Sequence, residues 1–574
     1  VFNRIHALTQ IQSIIIIAAI GIAVFCSGLF TPFMGDDLPQ IVDNPVVHSI
    51  TNLPRFFNEG TFYLGQGSDK LSSAFYRPVM TTTFSLLYSV FGTQPVAFHV
   101  FQLLLHILCA IVLLLILRYF LQPALSLGLS VLFLVHPING GSVFGIPSMQ
   151  EPLFLLFGLL AFWVILRFPK RSVWQVLLVA TLLLLSLLSK EAGITFIFVI
   201  LLCVFLTDRK YFWTLLGASA AVLGVYFAMK VHAVGLASNP HNAPITELGL
   251  WARLAHVPAL GMFYLAKYVF PLHLAQAYYW VHPHVTLAHF WLPLLVDLVA
   301  LAVMGFGGLC IYKRSERRYL ALYAFFGAWL LSGLALVMQI IPLDMTASET
   351  WFYFPSIGLI GMIGVAVEAL LPRKWHSIAL VAFAGILAVF GIRTFMRGFD
   401  WASPTKLSYR NIAVTKEDYI SYNLIANDLM RSGKSAEATT FARQSIAIYP
   451  TFTNYNTLGT ALITQKDYPA AQAAYLNALK YGSDVPIAYE NLALLFAARA
   501  DSDHDKGKQF FSDAIVKFPN DPTIWFCLAV FANNHGYGSA AQSALQRAQQ
   551  LGSVEQPAID AINKGQPYIV SLTL

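Results

Sequence analysis

Gly35-Asp36-Asp37 stands directly behind the first long apolar run, Ile11 to Leu29, and is followed by Asp43-Asn44-Pro45 and Tyr76-Arg77-Pro78. Two adjacent carboxylates can take a proton from an attacking hydroxyl or help to hold a cation. For a dipeptide alone, a solvated loop is the alternative. Position favours chemistry, because the pair falls at a lipid–water boundary, where the head group of an amphiphilic substrate would lie. More ionisable groups recur at expected helix ends: Glu151, Lys190-Glu191 and Glu349. Such groups cost roughly 2.5–3.5 kcal/mol at the centre of a bilayer and less near its edge. For Lys190 and Glu191, mutual neutralisation or helix termination is an equal alternative.

His99 and His106 lie seven residues apart, on one face of an apolar run. A buried polar pair packed against other helices is the structural reading, and it is preferred for His106. His136-Pro137 reads as a helix cap. None of these spacings matches a zincin or other metal-ligand motif, and no Walker loop or Gly-x-Gly-x-x-Gly turn is present. The five cysteines are scattered, four of them in apolar runs, which excludes a disulfide framework. What remains is a pocket at membrane level, rimmed by carboxylates and a few cations, with no cradle for a nucleotide. A transferase fed by a lipid-linked donor needs that layout.

The elements that must position these groups follow from composition. Of 574 residues, 57% are hydrophobic and 11% charged, with mean hydropathy +0.63; soluble domains carry about 25% charged residues. Runs such as Ile11 to Leu29, Val173 to Leu188 and Leu295 to Cys310 are long enough to cross or nearly cross a hydrocarbon core. The first lacks a small-residue cleavage site and is expected to be a retained helix rather than a signal peptide. From Lys416 onward there are 12 Lys+Arg and 14 Asp+Glu, so the preceding residues carry a net charge of +9 out of the total of +7. That excess lies in short loops, a pattern of membrane orientation and not of nucleic-acid binding.

Placing Arg118, Arg167/Lys170/Arg171, Arg209/Lys210, Lys313/Arg314/Arg317/Arg318 and Arg373/Lys374 in the cytoplasm predicts a serpentine of about eleven crossings. These cover about 11–31, 96–118, 121–136, 152–168, 173–189, 192–207, 211–230, 286–312, 319–340, 354–372 and 376–393. The external side then holds loops 32–78, 137–151, 231–284 and 341–353 and the C-terminal region. Within 231–284, Leu254 to Tyr279 fits an interfacial or re-entrant segment, or two short crossings.

The tail repeats itself every 34 residues or so, the period of a tetratricopeptide repeat. Tyr455, Leu458, Gly459, Ala471, Tyr475 and Ala478 form the clearest unit, and Trp525, Leu528, Ala529, Ala541 and Ala548 another. Between them Tyr489, Leu492, Ala493, Ala514 and Pro519 fit, with an insertion near Asp501 to Asp505, and Tyr422, Ala426, Ala438 and Pro450 begin the series. A generic helical bundle is the weaker account of four units in register. The expected fold is therefore all-α: a transmembrane helical domain over 1–400 and a tetratricopeptide-repeat solenoid over 415–574. Such arrays bind partner polypeptides, but spacing residues specify the scaffold and not the ligand.

Gly35-Asp36-Asp37, Asp43-Asn44-Pro45, Tyr76-Arg77-Pro78, Phe98-His99 and His106 together resemble the membrane part of the C-type glycosyltransferases. The similarity is strongest to the transmembrane and tetratricopeptide repeat-containing O-mannosyltransferases and their bacterial relatives. It continues through Leu134-Val135-His136-Pro137, Ser189-Lys190-Glu191, Phe270-Pro271-Leu272, and Glu349 with Tyr353-Phe354-Pro355-Ser356 and Gly358. The resemblance implies a polyprenyl-phosphate-linked sugar donor, transfer with inversion to an acceptor hydroxyl, and an active site on the luminal or periplasmic side. It assigns Asp36 and Asp37 as general base and its support, and places Arg77, Lys190 and His99 near the donor phosphate. Glu191, Glu151, Glu349 and Tyr353 would orient sugar, acceptor or cation groups; a divalent cation is compatible with the acids, its identity open.

Two departures stand out. Thr350 follows Glu349 where the family has Arg, so a phosphate-binding cation would come from elsewhere, Arg253 or Lys267 being candidates. Ser148-Met149-Gln150-Glu151 replaces an Arg followed by an acid. The absence of any Asn-x-Ser/Thr sequon leans towards a bacterial inner membrane, with the repeats in the periplasm, over an endoplasmic-reticulum membrane. The expected activity is protein O-glycosylation, the repeats engaging a protein or peptide acceptor. An oligosaccharide ligase or a glycan- or lipid-modifying transferase is the close variant, and a non-catalytic membrane scaffold is the reading of another class. A transporter ranks last, since no duplication of the spans is visible.

Overall fold

The computed structural model describes residues 9–63, 71–72, 75–168, 171–235, 243–282, 284–482, 486–499, 504–552 and 554–570. Among the described residues it is helical apart from a pair of two-residue antiparallel strands, Phe62–Tyr63 with Leu71–Ser72, and a bridge between Tyr278 and Ala347. Lys170 and the start of the expected insertion, 501–503, lie outside the described residues. The chain divides into two compact units, Val1–Thr415 and Lys416–Leu574.

The first unit is a bundle of apolar helices. Among the described residues seven are long and apolar enough to cross a membrane: Gln10–Gly28, Pro95–Leu117, Ile146–Arg167, Arg209–Val234, Leu287–Arg314, Arg317–Val337 and His376–Trp401. Pro123–Val135 and Pro137–Phe144, bent by 47° at the His136-Pro137 step, add an eighth if they form one span. Proline cannot donate the hydrogen bond that would continue the helix, which explains the break. The expected count of about eleven crossings is not confirmed. Val173–Ser189, Glu191–Thr207 and Pro355–Leu370 are shorter apolar helices of 10–17 residues, as is Pro78–Phe91, which lies next to the expected loop. The segment 231–284 contains a 13-residue helix, Val257–Val269, about 20 Å long and too short for a core of about 30 Å. From Phe270 to His282 the chain forms no helix, and Tyr278 bridges to Ala347.

Small residues let these helices approach. A Cβ on Gly358 would come within 2.4 Å of the Leu330 backbone nitrogen, and one on Gly158 within 2.0 Å of the Phe196 ring. Phe196, Trp329 and Phe354 fill the space so created, Trp329 stacking on Phe354 with centroids 5.3 Å apart. Polar groups in the bundle bond to backbone carbonyls. Gln102 donates to Ser142 and Gly145 at 2.8 and 2.7 Å, and Ser186 to Phe154 at 2.8 Å, which is how buried amides and hydroxyls avoid a desolvation cost.

The second unit stacks four helical hairpins: Tyr419–Arg431 with Ser435–Ile448, Phe452–Thr464 with Tyr468–Tyr481, Pro486–Ala498 with His504–Lys517, and Pro522–Asn534 with Gly538–Leu551. Gln556–Asn563 closes the described array. The period read from the sequence matches these pairs. Gly459 faces Tyr475 so closely that a Cβ would lie 2.5 Å from the ring, and Ala471 and Ala478 are fully buried. Gly433 and Gly536 make corresponding turns with positive φ, and Lys466 takes the same conformation at φ 62°.

Candidate functional site

Asp36 and Asp37 sit in a turn whose first residue is Gly35 at φ +56°, a conformation that favours glycine. Leu38–Val42 continues as a π-helical turn, so the backbone reverses within a few residues of the end of the first span. Asp37 points inward. It is 1% exposed, its Oδ2 accepts the Met34 N–H at 2.8 Å, and its Oδ1 is buried without a hydrogen-bond partner. Burial raises its pKa, the Met34 bond opposes and the Asp36 charge adds, leaving it at about 8. Asp36 is exposed to solvent. The protein mass around it raises its pKa first, Asp344 next, while Arg77 lowers it.

Asp344 was not singled out in the sequence. It lies in the chain between Val337 and Glu349, where Gln339 acts as organiser: fully buried at φ 58°, it donates Nε2 to the Met345 and Thr346 carbonyls at 2.8 and 2.9 Å and accepts the Leu343 N–H at 3.1 Å. The Thr346 hydroxyl bonds the Trp280 carbonyl at 2.8 Å. Asp344 is thereby held near Asp36, Arg77, Lys190 and Glu191; burial raises its pKa, and Arg77 opposes most. In sequence it is a single acid on an expected external loop, with no motif around it to single it out.

Arg77 caps the helix Pro78–Phe91. Its guanidinium lies 4.5 Å over the Phe75 ring and 3.8 Å from Glu191, and its Nε is buried without a hydrogen bond. Glu191 also faces Lys230 at 3.8 Å. Lys230 was missed because it closes an expected span. Lys190 forms an ion pair with Glu151, which is 2% exposed in the first turn of Gln150–Arg167. Asp36, Arg77, Lys190, Glu191 and Glu151, from distant stretches of chain, thus gather in one charged recess with Asp37 beside it.

Three residues assigned through the resemblance, His99, Tyr353 and Glu349, make their hydrogen bonds outside that cluster. His99 Nε2 bonds the Thr31 hydroxyl at 2.7 Å, beneath the first loop. Tyr353, fully buried, bonds His106 Nδ1 at 2.6 Å inside the bundle, and His106 Nε2 meets the Leu134 carbonyl at 3.0 Å, consistent with a structural histidine. Glu349 accepts from the Ala275 N–H at 2.7 Å and the Tyr278 hydroxyl at 2.6 Å, clamping two loops. Burial raises its pKa, with Arg397 the main opposing charge. Arg253 and Lys267, the candidates for a phosphate cation, are turned to backbone carbonyls: Arg253 to Gln339 at 3.0 Å, Lys267 to His273. His136 accepts the Ile138 N–H at 3.2 Å, as a cap does. Among the described residues no three His, Cys, Asp or Glu side chains converge as a metal site.

No family model matches the chain. Human protein O-mannosyl-transferase TMTC3 is 31% identical over 190 residues, 32% of this chain and 21% of that protein. Fruit-fly Tmtc3 is 22% identical over 519 residues and human TMTC1 24% over 510, each covering 77% of this chain and 56% of the relative. The chain spans a fifth to just over half the length of these relatives. Among solved structures, MamA (16% identity, TM-score 0.24) covers 28% of this chain and 92% of its own. The tetratricopeptide-repeat protein YrrB (14%, TM-score 0.25) covers 33% and 94%. In sequence, the chain is similar to protein O-mannosyl-transferases, the proteins that its motifs resemble.

Proposed function

We propose that the chain is a membrane glycosyltransferase that moves a sugar from a polyprenyl-phosphate-linked donor to a hydroxyl of a protein acceptor. The observation that carries this reading is the convergence of Asp36, Asp344, Arg77, Lys190 and Glu191 in one recess beside the end of the first span. Asp36, exposed to solvent, is the general base. It takes the acceptor proton as the hydroxyl oxygen bonds the anomeric carbon, and the bond from that carbon to phosphate breaks, its electron pair leaving with the phosphate. Attack opposite the leaving group inverts the anomeric centre. Asp37, held by the Met34 N–H, fixes the turn that aims Asp36. Arg77, with Lys190 and Lys230 nearby, receives the charge that develops on the phosphate. Asp344 and Glu191 orient those cations and the sugar hydroxyls.

The basic residues Arg118, Arg167, Arg171, Arg209, Arg314 and Arg317 lie at or beside helix ends. Their bias to loops supports a non-cytoplasmic recess and repeat unit, in a bacterial inner membrane or an endoplasmic-reticulum membrane. The repeat unit engages the acceptor.

Asp36→Asn, assayed with purified protein and a short-chain lipid-linked mannose, is expected to lower turnover about 10²–10⁴-fold with detergent stability unchanged. Full activity in Asp36→Asn would remove the base. Transfer of a many-sugar donor in preference to the single sugar would favour the ligase variant.

A further inference from the structure

The last long span carries a second feature, apart from the carboxylate recess. Ala382, Gly385, Ile386, Val389 and Phe390 recur at helical steps of three and four, so they form one stripe along His376–Gly398. With Val269 they wall an open groove of about 410 Å³. Gly385 leaves it unfilled: a Cβ there would meet nothing within 4 Å. Ile386, Val389 and Val269 face outward, each about half exposed, on or beside a helix apolar enough to cross a membrane. Hydrocarbon is the solvent there, so the occupant of the groove is a lipid chain.

One turn beyond the groove the same stripe becomes cationic, with Arg393 and then Arg397. Lys267 stands two residues before Val269. This end of the span adjoins the end of the first, Ser27 donating to the Phe395 carbonyl at 2.6 Å, so it lies at the same end of the bundle as Asp36. Arg393 bonds the Leu272 carbonyl at 3.1 Å, and Arg397, fully buried, takes Asp400 at 3.0 Å. Arg410 reaches that same carboxylate only at 3.7 Å, and its Nε is buried without a hydrogen bond. Lys267 faces the buried Glu349, whose charge burial disfavours. Four cations thus share two carboxyl groups. The charges that act on Arg393 are Arg397, Asp400, Arg410 and Glu349, and none belongs to the Asp36 recess. Positive charge is sparse on the non-cytoplasmic side of spans, so such a surplus at the mouth of an apolar groove calls for an anion with a tail.

We propose that the groove and its cationic rim bind an anionic phospholipid, its chain along Ala382–Phe390 and its phosphate among Lys267, Arg393 and Arg410. The site does not depend on the transferase reading. Charge complementarity selects the head group, and the outward apolar walls select a lipid over a free anion.

The test uses the full chain in an uncharged detergent, with phosphatidylglycerol, phosphatidylcholine or inorganic phosphate added. Native mass spectrometry counts retained lipid, and thermal denaturation reads the linked stabilisation. Phosphatidylglycerol is expected to be retained and to raise Tm, phosphatidylcholine and inorganic phosphate to do neither. Arg393→Gln with Arg410→Gln should weaken retention about tenfold or more. Gly385→Phe, at an open position that leaves the rim intact, should do the same by filling the groove. Equal retention of the two lipids, or retention unchanged in Gly385→Phe, overturns the proposal. A Tm rise with inorganic phosphate alone replaces it with a soluble-anion site.

Discussion

Asp37 shows how one carboxyl can be constrained by two opposing demands. Its Oδ2 is needed as acceptor for Met34, which favours the ionised form, yet its Oδ1 is buried without a partner. Burial wins, and the group titrates at about 8 against an ordinary 3.8. The sign follows from proton linkage. Between those values the folded state holds more protons than the unfolded chain, so stability falls as pH rises from about 4 to about 8. Asp37→Asn keeps an acceptor for Met34 and removes the charge. Its melting midpoint should therefore gain on the wild type at pH 9 more than at pH 6. A difference between the two proteins that does not change with pH would show that Asp37 remains ionised throughout. Asp36 and Asp344 are also raised, so transfer by a base at Asp36 should switch on at a pH above the usual carboxylate range.

The adjacent pair was legible in the sequence because position and residue type agree there. Asp344 and Lys230 were not, since each is a single charge near a helix end and only the folded path brings it to Asp36 or Glu191. Tyr353 shows the converse: a motif residue whose hydroxyl is consumed by His106 inside the bundle.

At the scale of elements, the connection from 338 to 348 has no helix to stiffen it; a bridge between Ala347 and Tyr278 ties its end, and Gln339 ties the rest with one amide. Gln339→Ala frees two carbonyls and an N–H and leaves the positive φ strained, because alanine keeps the Cβ. Turnover should fall about tenfold or more as Asp344 loses its place, with circular dichroism unchanged. Retained turnover with a lowered melting midpoint would assign Gln339 to stability alone. Helix existence was readable from apolar runs; the number of crossings is not settled by them. Short apolar helices such as Val173–Ser189 have the composition of a span at the lower edge of its length, and hydropathy does not separate the two. Gly358, one of the motif residues, turns out to serve packing against the Leu330 backbone.

For the whole molecule, the division at Thr415/Lys416 separates an apolar unit from a charge-balanced one. Each has its own core: aromatic and aliphatic in the bundle, alanine-rich and aromatic between the hairpins. If the repeats engage the acceptor, ending the chain after Thr415 should leave transfer to a short peptide within about threefold and lower kcat/KM for a folded protein acceptor about tenfold or more. Equal losses on both acceptors would make the repeats a requirement for the fold of the membrane unit.

The recess draws on residues more than three hundred positions apart, Asp36 near the beginning and Asp344 well beyond the middle. At synthesis rates of 5–20 residues per second, roughly 15–60 s separate their emergence from the ribosome. For that interval the nascent chain holds Asp36 without the later loop that sets Asp344 beside it. If Asp36 is the base, transfer waits until that loop has emerged.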